Sequence, residues 1–170
     1  MLFVSIVSIV LSIACNSTQN PNLAVAHDKS KILPQSGPIS PDPETLCRQV
    51  SKISVLPFKG DKGRDQVYDA LVAAGDAVVP CLIDEITNLT RMADPREAPK
   101  FADTRVGDIA YFVFTDITKM NFTDPLPTNV KEEYKAEGVY AYFRFVEKPE
   151  NRKEIQRYLR DWYKKTHHDK

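Results

Sequence analysis

Apolar residues recur along most of this chain at helical spacing, but two stretches without that periodicity come first. Leu2 to Ala14 form an uncharged apolar run of about 13 residues, short of the roughly 20 a helix needs to cross a hydrocarbon core. The run predicts a cleaved signal segment. Asn16 to Pro41 is rich in Asn, Ser, Pro, Gln and Lys, with too few large apolar side chains to offset its ordering entropy by burial. It predicts a flexible tether.

Asp42-Pro43-Glu44 combines an N-cap candidate, a first-turn proline and an acid suited to the helix dipole. Leu46, Val50 and Ile53 follow at helical spacing, with Cys47 beside them. An extended passage from Val55 to Gly60 leads to a second helix striped by Val67, Leu71 and Ala74. Gly75 is placed to end it in a left-handed conformation, and Asp76 to cap the next. The third helix is expected over Ala77 to Asn88, with Val79, Leu82, Ile83 and Ile86 inward and Pro80 harmless in the first turn. Arg105 to Thr118 is apolar nearly all round and predicts the buried centre. Thr128 is a cap candidate for a helix through Lys135 stopped at Gly138. Val139 to Val146 suits a strand or a buried helix, and helix is preferred. Pro149, or an Asn151-x-x-Glu154 capping box, opens a last helix striped by Ile155, Leu159, Trp162 and Tyr163.

Leu11-Ser12-Ile13-Ala14-Cys15 resembles the lipobox of bacterial lipoproteins, with Ser12 where Leu is more usual. The resemblance implies cleavage before Cys15, acylation of that residue and anchoring to a periplasmic or cell-surface membrane face, each buried CH₂ contributing about 0.8 kcal/mol. Cleavage by an ordinary signal peptidase would instead release a soluble secreted protein. The segment Ala70 to Ile83 resembles one HEAT-like repeat, an apolar helix ending in Gly with a second apolar helix directly after it. Thr104 to Ala110 is a partial second match, in which Gly107-Asp108 departs from the family pattern. Val67 to Tyr163 also resembles a bacterial lipoprotein family to which no activity attaches. The expected fold is all-α, a small HEAT-like or irregular bundle of about five to six helices over residues 42–166. A signal (1–14) and a lipidated tether (15–41) precede it, and residues 167–170 form a tail.

Lys plus Arg and Asp plus Glu are each 23, so no global field recruits nucleic acid, and none is expected as a partner. With Cys15 assigned to lipid, Cys47 and Cys81 are left either as a disulfide in an oxidising compartment or as two buried thiols. The three histidines, His27, His167 and His168, lie in the tether and tail, which leaves the helical body without the commonest general base. No phosphate loop, metal-ligand spacing or nucleophile elbow occurs, and neither cofactor nor metal is expected. Three asparagine sequons, at Asn16, Asn88 and Asn121, matter only in a eukaryotic secretory route.

The polar residues that interrupt the most apolar helix are the candidates for chemistry. Arg105 and Asp108 lie three apart, and Asp116 a further eight, so all can share one pocket. One reading is an internal ion-pair network that fixes the preceding loop, with Arg96 as a second partner. The other makes Asp108 and Asp116 a carboxylate pair for acid/base hydrolysis. The connection Thr90 to Thr104, with Asp94, Arg96, Asp103 and then Arg105, is the expected recognition surface. Tyr111 to Phe114 and Tyr140 to Phe145 are read as core filling or a ligand groove, and Arg152, Lys153, Arg157 and Arg160 as a solvated basic face or a contact for anionic headgroups. These features lead to a lipid-anchored envelope module that binds another protein, as adaptor or inhibitor. The competing expectation is an envelope hydrolase.

Overall fold

The computed structural model describes residues 42–57, 65–98 and 100–167. Cys15, the signal and tether boundaries, His27 and His168 lie outside the described residues. Within them the fold is all-α: seven α-helices, two 3₁₀ turns and no strand. The first, α1 (Pro43–Cys47), is a single turn continued by a separate 3₁₀ turn at Val50–Lys52, and the six longer helices match the expected small bundle of about five to six. Asp42 caps α1 as its position predicts, accepting from the Glu44 and Thr45 amides at 3.1 and 3.0 Å.

Helix α2 (Gln66–Ala74) starts at Asp65, a cap that the apolar stripe by itself does not reveal. Asp65 Oδ1 accepts from the Val67 and Tyr68 amides, each at 3.0 Å. Its Oδ2 takes the Ser54 amide at 2.8 Å, the Ser54 hydroxyl at 3.0 Å and the Val55 amide at 3.2 Å. One carboxylate therefore joins the extended segment after α1 to the start of α2. Burial opposes its charge, but these donors prevail and hold the carboxyl below its ordinary range.

Gly75 ends α2 with φ of +57°, as expected, but Asp76 makes no cap. A 3₁₀ turn, Gly75–Val78, stands in the place of a capped start, and α3 (Val79–Glu85) is shorter than the expected Ala77 to Asn88. Its far end is drawn off the helix because the Asn88 carbonyl accepts from the Gly107 amide at 3.0 Å. Gln66–Glu85 together has the length and apolar composition of a membrane-crossing helix, yet Gly75 divides it into two short pieces. The Cys47–Cys81 disulfide, with Cα atoms 6.2 Å apart, ties α1 to α3.

Helix α4 (Val106–Thr118) is the centre of the body, with Ile109, Ala110, Val113 and Phe114 fully buried. Helix α3 makes its most extensive contacts with α4 rather than with α2. Gly107 permits that approach: a Cβ there would stand 2.3 Å from the Ile86 carbonyl oxygen.

Helices α5 (Thr128–Glu137) and α6 (Val139–Val146) pack together across Gly138, whose φ of +62° turns the chain. Thr128 is already helical and Pro127 holds the cap position, so the expected threonine cap is absent. Helix α7 (Pro149–His167) packs on α3 and α6 and runs one residue into the expected tail. Pro149 opens it, while Asn151 lies inside and sends Nδ2 to the Phe145 carbonyl at 2.6 Å in place of the suggested capping box. Rings of Tyr111, Phe112, Phe122, Tyr142, Phe143 and Phe101 fill the space between α4 and α6. Tyr111 and Tyr142 are buried core, whereas Tyr140 is exposed.

Candidate functional site

Residues 86–98 and 100–105 belong to the connection between α3 and α4, whose two ends are held together by a short antiparallel pairing. The Met92 amide donates to Thr104, Val106 to Thr90, and a single bridge joins Arg91 to Arg105. Pairing of this kind uses backbone groups that an irregular loop would leave to water. The long connection is therefore braced.

Two of its expected recognition residues do the bracing. The Arg96 Nε donates to Asp94 Oδ1 at 2.9 Å, and Asp94 also accepts from the Phe101 amide at 2.7 Å. The guanidinium carbon of Arg96 lies 4.6 Å from the Phe143 ring centroid and 5.7 Å from that of Phe112. Side-chain exposure is 12% for Arg96 and 3% for Asp94, so neither offers a free charge to a partner. Burial works against the Asp94 charge, but Arg96 and the amides hold its carboxyl below the usual range. Asp103 and Arg105 stay nearer the surface, where Asp103 pairs with Arg91 at 3.0 Å and with Arg105 at 2.6 Å.

Arg105 does not form the expected side-chain pair with Asp108. Its guanidinium turns to Asp103 and to the Leu89 carbonyl at 3.1 Å, and only its backbone amide donates to Asp108 Oδ2, at 2.8 Å. The ion partner of Asp108 is Arg152 of α7, at 2.8 Å, with the Tyr142 hydroxyl donating at 3.2 Å. Asp108 is fully buried and Arg152 nearly so. Burial pushes the Asp108 carboxyl up, against the pull of Arg152, the Arg105 amide and the Tyr142 hydroxyl.

Asp116 lies elsewhere. Eight residues along α4 correspond to a rise of about 12 Å, and its carboxylate accepts from the Tyr68 hydroxyl of α2 at 2.9 Å on the exposed side of the helix. Asp108 and Asp116 thus have separate partners and share no cleft. Arg96, the suggested second partner of the network, is engaged with Asp94.

Arg152 is also not part of a solvated basic face. It stands three residues before Ile155 and seven before Leu159, on the apolar stripe of α7, and that register is the sequence signal for its burial. Its Nε donates to the Val146 carbonyl at 3.0 Å and its Nη2 to Asp108, while Nη1 has no partner among the described residues.

Arg152 forms part of the wall of a cavity of about 320 Å³ between residues 89–105 and the α6–α7 corner. Buried Phe143 and Val146 line it with Arg152, partly exposed Phe101, Asp103 and Arg105 flank them, and Leu89, Glu147 and Pro149 are exposed at the rim. The cavity brings together two of the expected recognition residues, Asp103 and Arg105, with side chains of α6 and α7 that sequence spacing could not place beside them. No group of three potential metal-ligating side chains gathers among the described residues. His167 instead stacks on Tyr163, with ring centroids 3.9 Å apart. No protein-family model, curated protein or solved structure matches this chain.

Proposed function

We propose that this chain is a binding module of the cell envelope, anchored through a lipid on Cys15, whose helical body engages another protein. The observation that carries the reading is that the braced 89–105 segment and the α6–α7 corner enclose a cavity while the buried polar groups beneath it are held in fixed partnerships. Such a frame holds a recognition surface in place. The Cys47–Cys81 disulfide supports an oxidising compartment, where bridges of this kind persist. Hydrolysis by Asp108 and Asp116 is the weaker proposal, because acid/base work on one bond needs two carboxyl groups flanking it, and these face different partners.

Full-length chain, solubilised from the envelope in mild detergent, is expected to retain one saturable protein partner across salt conditions. Its intact mass is expected to show acyl chains on a mature N-terminal Cys15. A body that titrates no protein at any concentration, or a chain recovered uncut and unacylated in the cytosol, would overturn the respective half of the reading.

A further inference from the structure

Resting on the binding-module reading, we propose that the cavity beside Arg152 holds a single carboxylate carried on an apolar body. The buried part of the wall is Phe143, Val146 and Arg152, and Phe101 stacks on Phe143 with ring centroids 4.2 Å apart. An apolar body therefore meets apolar and aromatic surface over part of the wall, beside the charged groups of Asp103, Arg105 and Glu147. Arg152 supplies the polar anchor. Two of its guanidinium nitrogens are engaged, by Val146 and Asp108, but Nη1 is enclosed without an acceptor among the described residues.

A buried N–H of a charged group left unpaired is costly, and an acceptor brought by a ligand recovers that cost. Carboxylate and phosphate oxygens are the strong acceptors for a guanidinium, and of the two the carboxylate carries the single charge that this wall tolerates. Nη1 is closed off from solvent, so entry of the carboxylate requires the wall side chains to move, and such a step slows association.

The acidic groups of the wall select for a single charge. Asp103 is neutralised by Arg91 and Arg105, whereas the exposed carboxylate of Glu147 at the rim repels polyanions such as nucleotides. A volume of about 320 Å³ lies at the small end of ligand cavities and suits one aromatic or branched body with its headgroup. Two sources carry that chemistry: a free organic acid, and the apolar C-terminal residue of a polypeptide.

The test uses full-length protein in detergent, titrated calorimetrically with 3-phenylpropionate, its uncharged amide, and a hexapeptide ending in phenylalanine with a free or an amidated terminus. At least one free carboxylate is expected to bind ten times or more tightly than its amide. Leu89→Trp, at the exposed rim and away from the contacts of Arg152, is expected to weaken that binding at least tenfold with the thermal melt unchanged. Arg152→Lys keeps a cation for Asp108 but loses the planar fork, and it is expected to weaken binding likewise. Equal affinity for acid and amide, no binding of any probe, or full binding by Leu89→Trp would each overturn the proposal. If no probe binds while a saturable protein partner is captured, the cavity assignment falls and the binding-module reading stands. If only the free acid binds and no protein partner exists, the reverse holds.

Discussion

Opening the Cys47–Cys81 disulfide is the sharpest perturbation of this fold, because it removes the covalent tie between α1 and α3 that restricts the unfolded chain. The bridge spans 34 residues, and loop-closure entropy for that separation amounts to about 4 kcal/mol at 25 °C. That is a large share of the roughly 5–15 kcal/mol by which single domains are stable. Urea unfolding of the full-length chain in detergent, with and without reductant, measures it. For a slope near 2 kcal/mol/M the midpoint is expected to fall by about 2 M. Reduced thiols keep nearly the volume of the bridge, so reduction isolates the entropic contribution. Cys47→Ala with Cys81→Ala adds the loss of a fully buried sulfur at Cys47, and about 1 kcal/mol more is expected. A reduced protein whose midpoint lies within 0.3 M (about 0.6 kcal/mol) of the oxidised one would refute the reasoning, since α1 would then be held by packing alone.

Gly107→Ala places a methyl 2.3 Å from the Ile86 carbonyl oxygen, and a loss of about 2–4 kcal/mol is expected in the same unfolding assay. Arg152→Met leaves Asp108 without its cation and is expected to cost about 3–5 kcal/mol, whereas Arg152→Met with Asp108→Leu is expected to recover most of it; a double-mutant cycle reads the coupling. Asp65→Ala removes the α2 cap and strands the Ser54 amide, for a loss of about 1–2 kcal/mol. Asp65 and Asp94 have folded pKa values below the ordinary 3.8, so their contribution is present above that pH and fades as pH falls through the lowered values. Asp108 is raised and acts with the opposite sign, its effect fading as pH climbs above 3.8. Asp65→Asn is therefore expected to flatten the loss of stability below pH 4 without altering the limb above it, as followed by urea midpoints across pH.

The helices were legible where one side chain or one backbone constraint decides local structure. Asp42 caps α1, Gly75 and Gly138 turn the chain at positive φ, and the apolar girth of residues 106–118 marks the core. Boundaries went astray where tertiary contacts compete with local signals: α3 stops early because Asn88 bonds across to Gly107, and Asn151 prefers the end of α6 to a cap. The candidate site was half legible. Asp103 and Arg105 do flank the cavity, but Arg105 lies 47 residues from Arg152 in the chain, and periodicity within one helix says nothing about which helix packs opposite. The position of Asp108 on the most apolar helix marks it as a buried charge in need of a partner. Sequence points to Arg105 rather than Arg152 because a neighbour three residues away is visible in it and one 44 residues away is not.

The Asp108–Arg152 pair also dictates an order of assembly. The carboxylate belongs to the central helix, whereas its cation arrives with the last one. A nascent chain that has not yet released residue 152 leaves Asp108 without its cation, at a cost of about 3–5 kcal/mol, so the interior closes favourably only once α7 has joined it. Closure of the interior is thus coupled to the arrival of the last described helix rather than to the packing of the earlier ones alone.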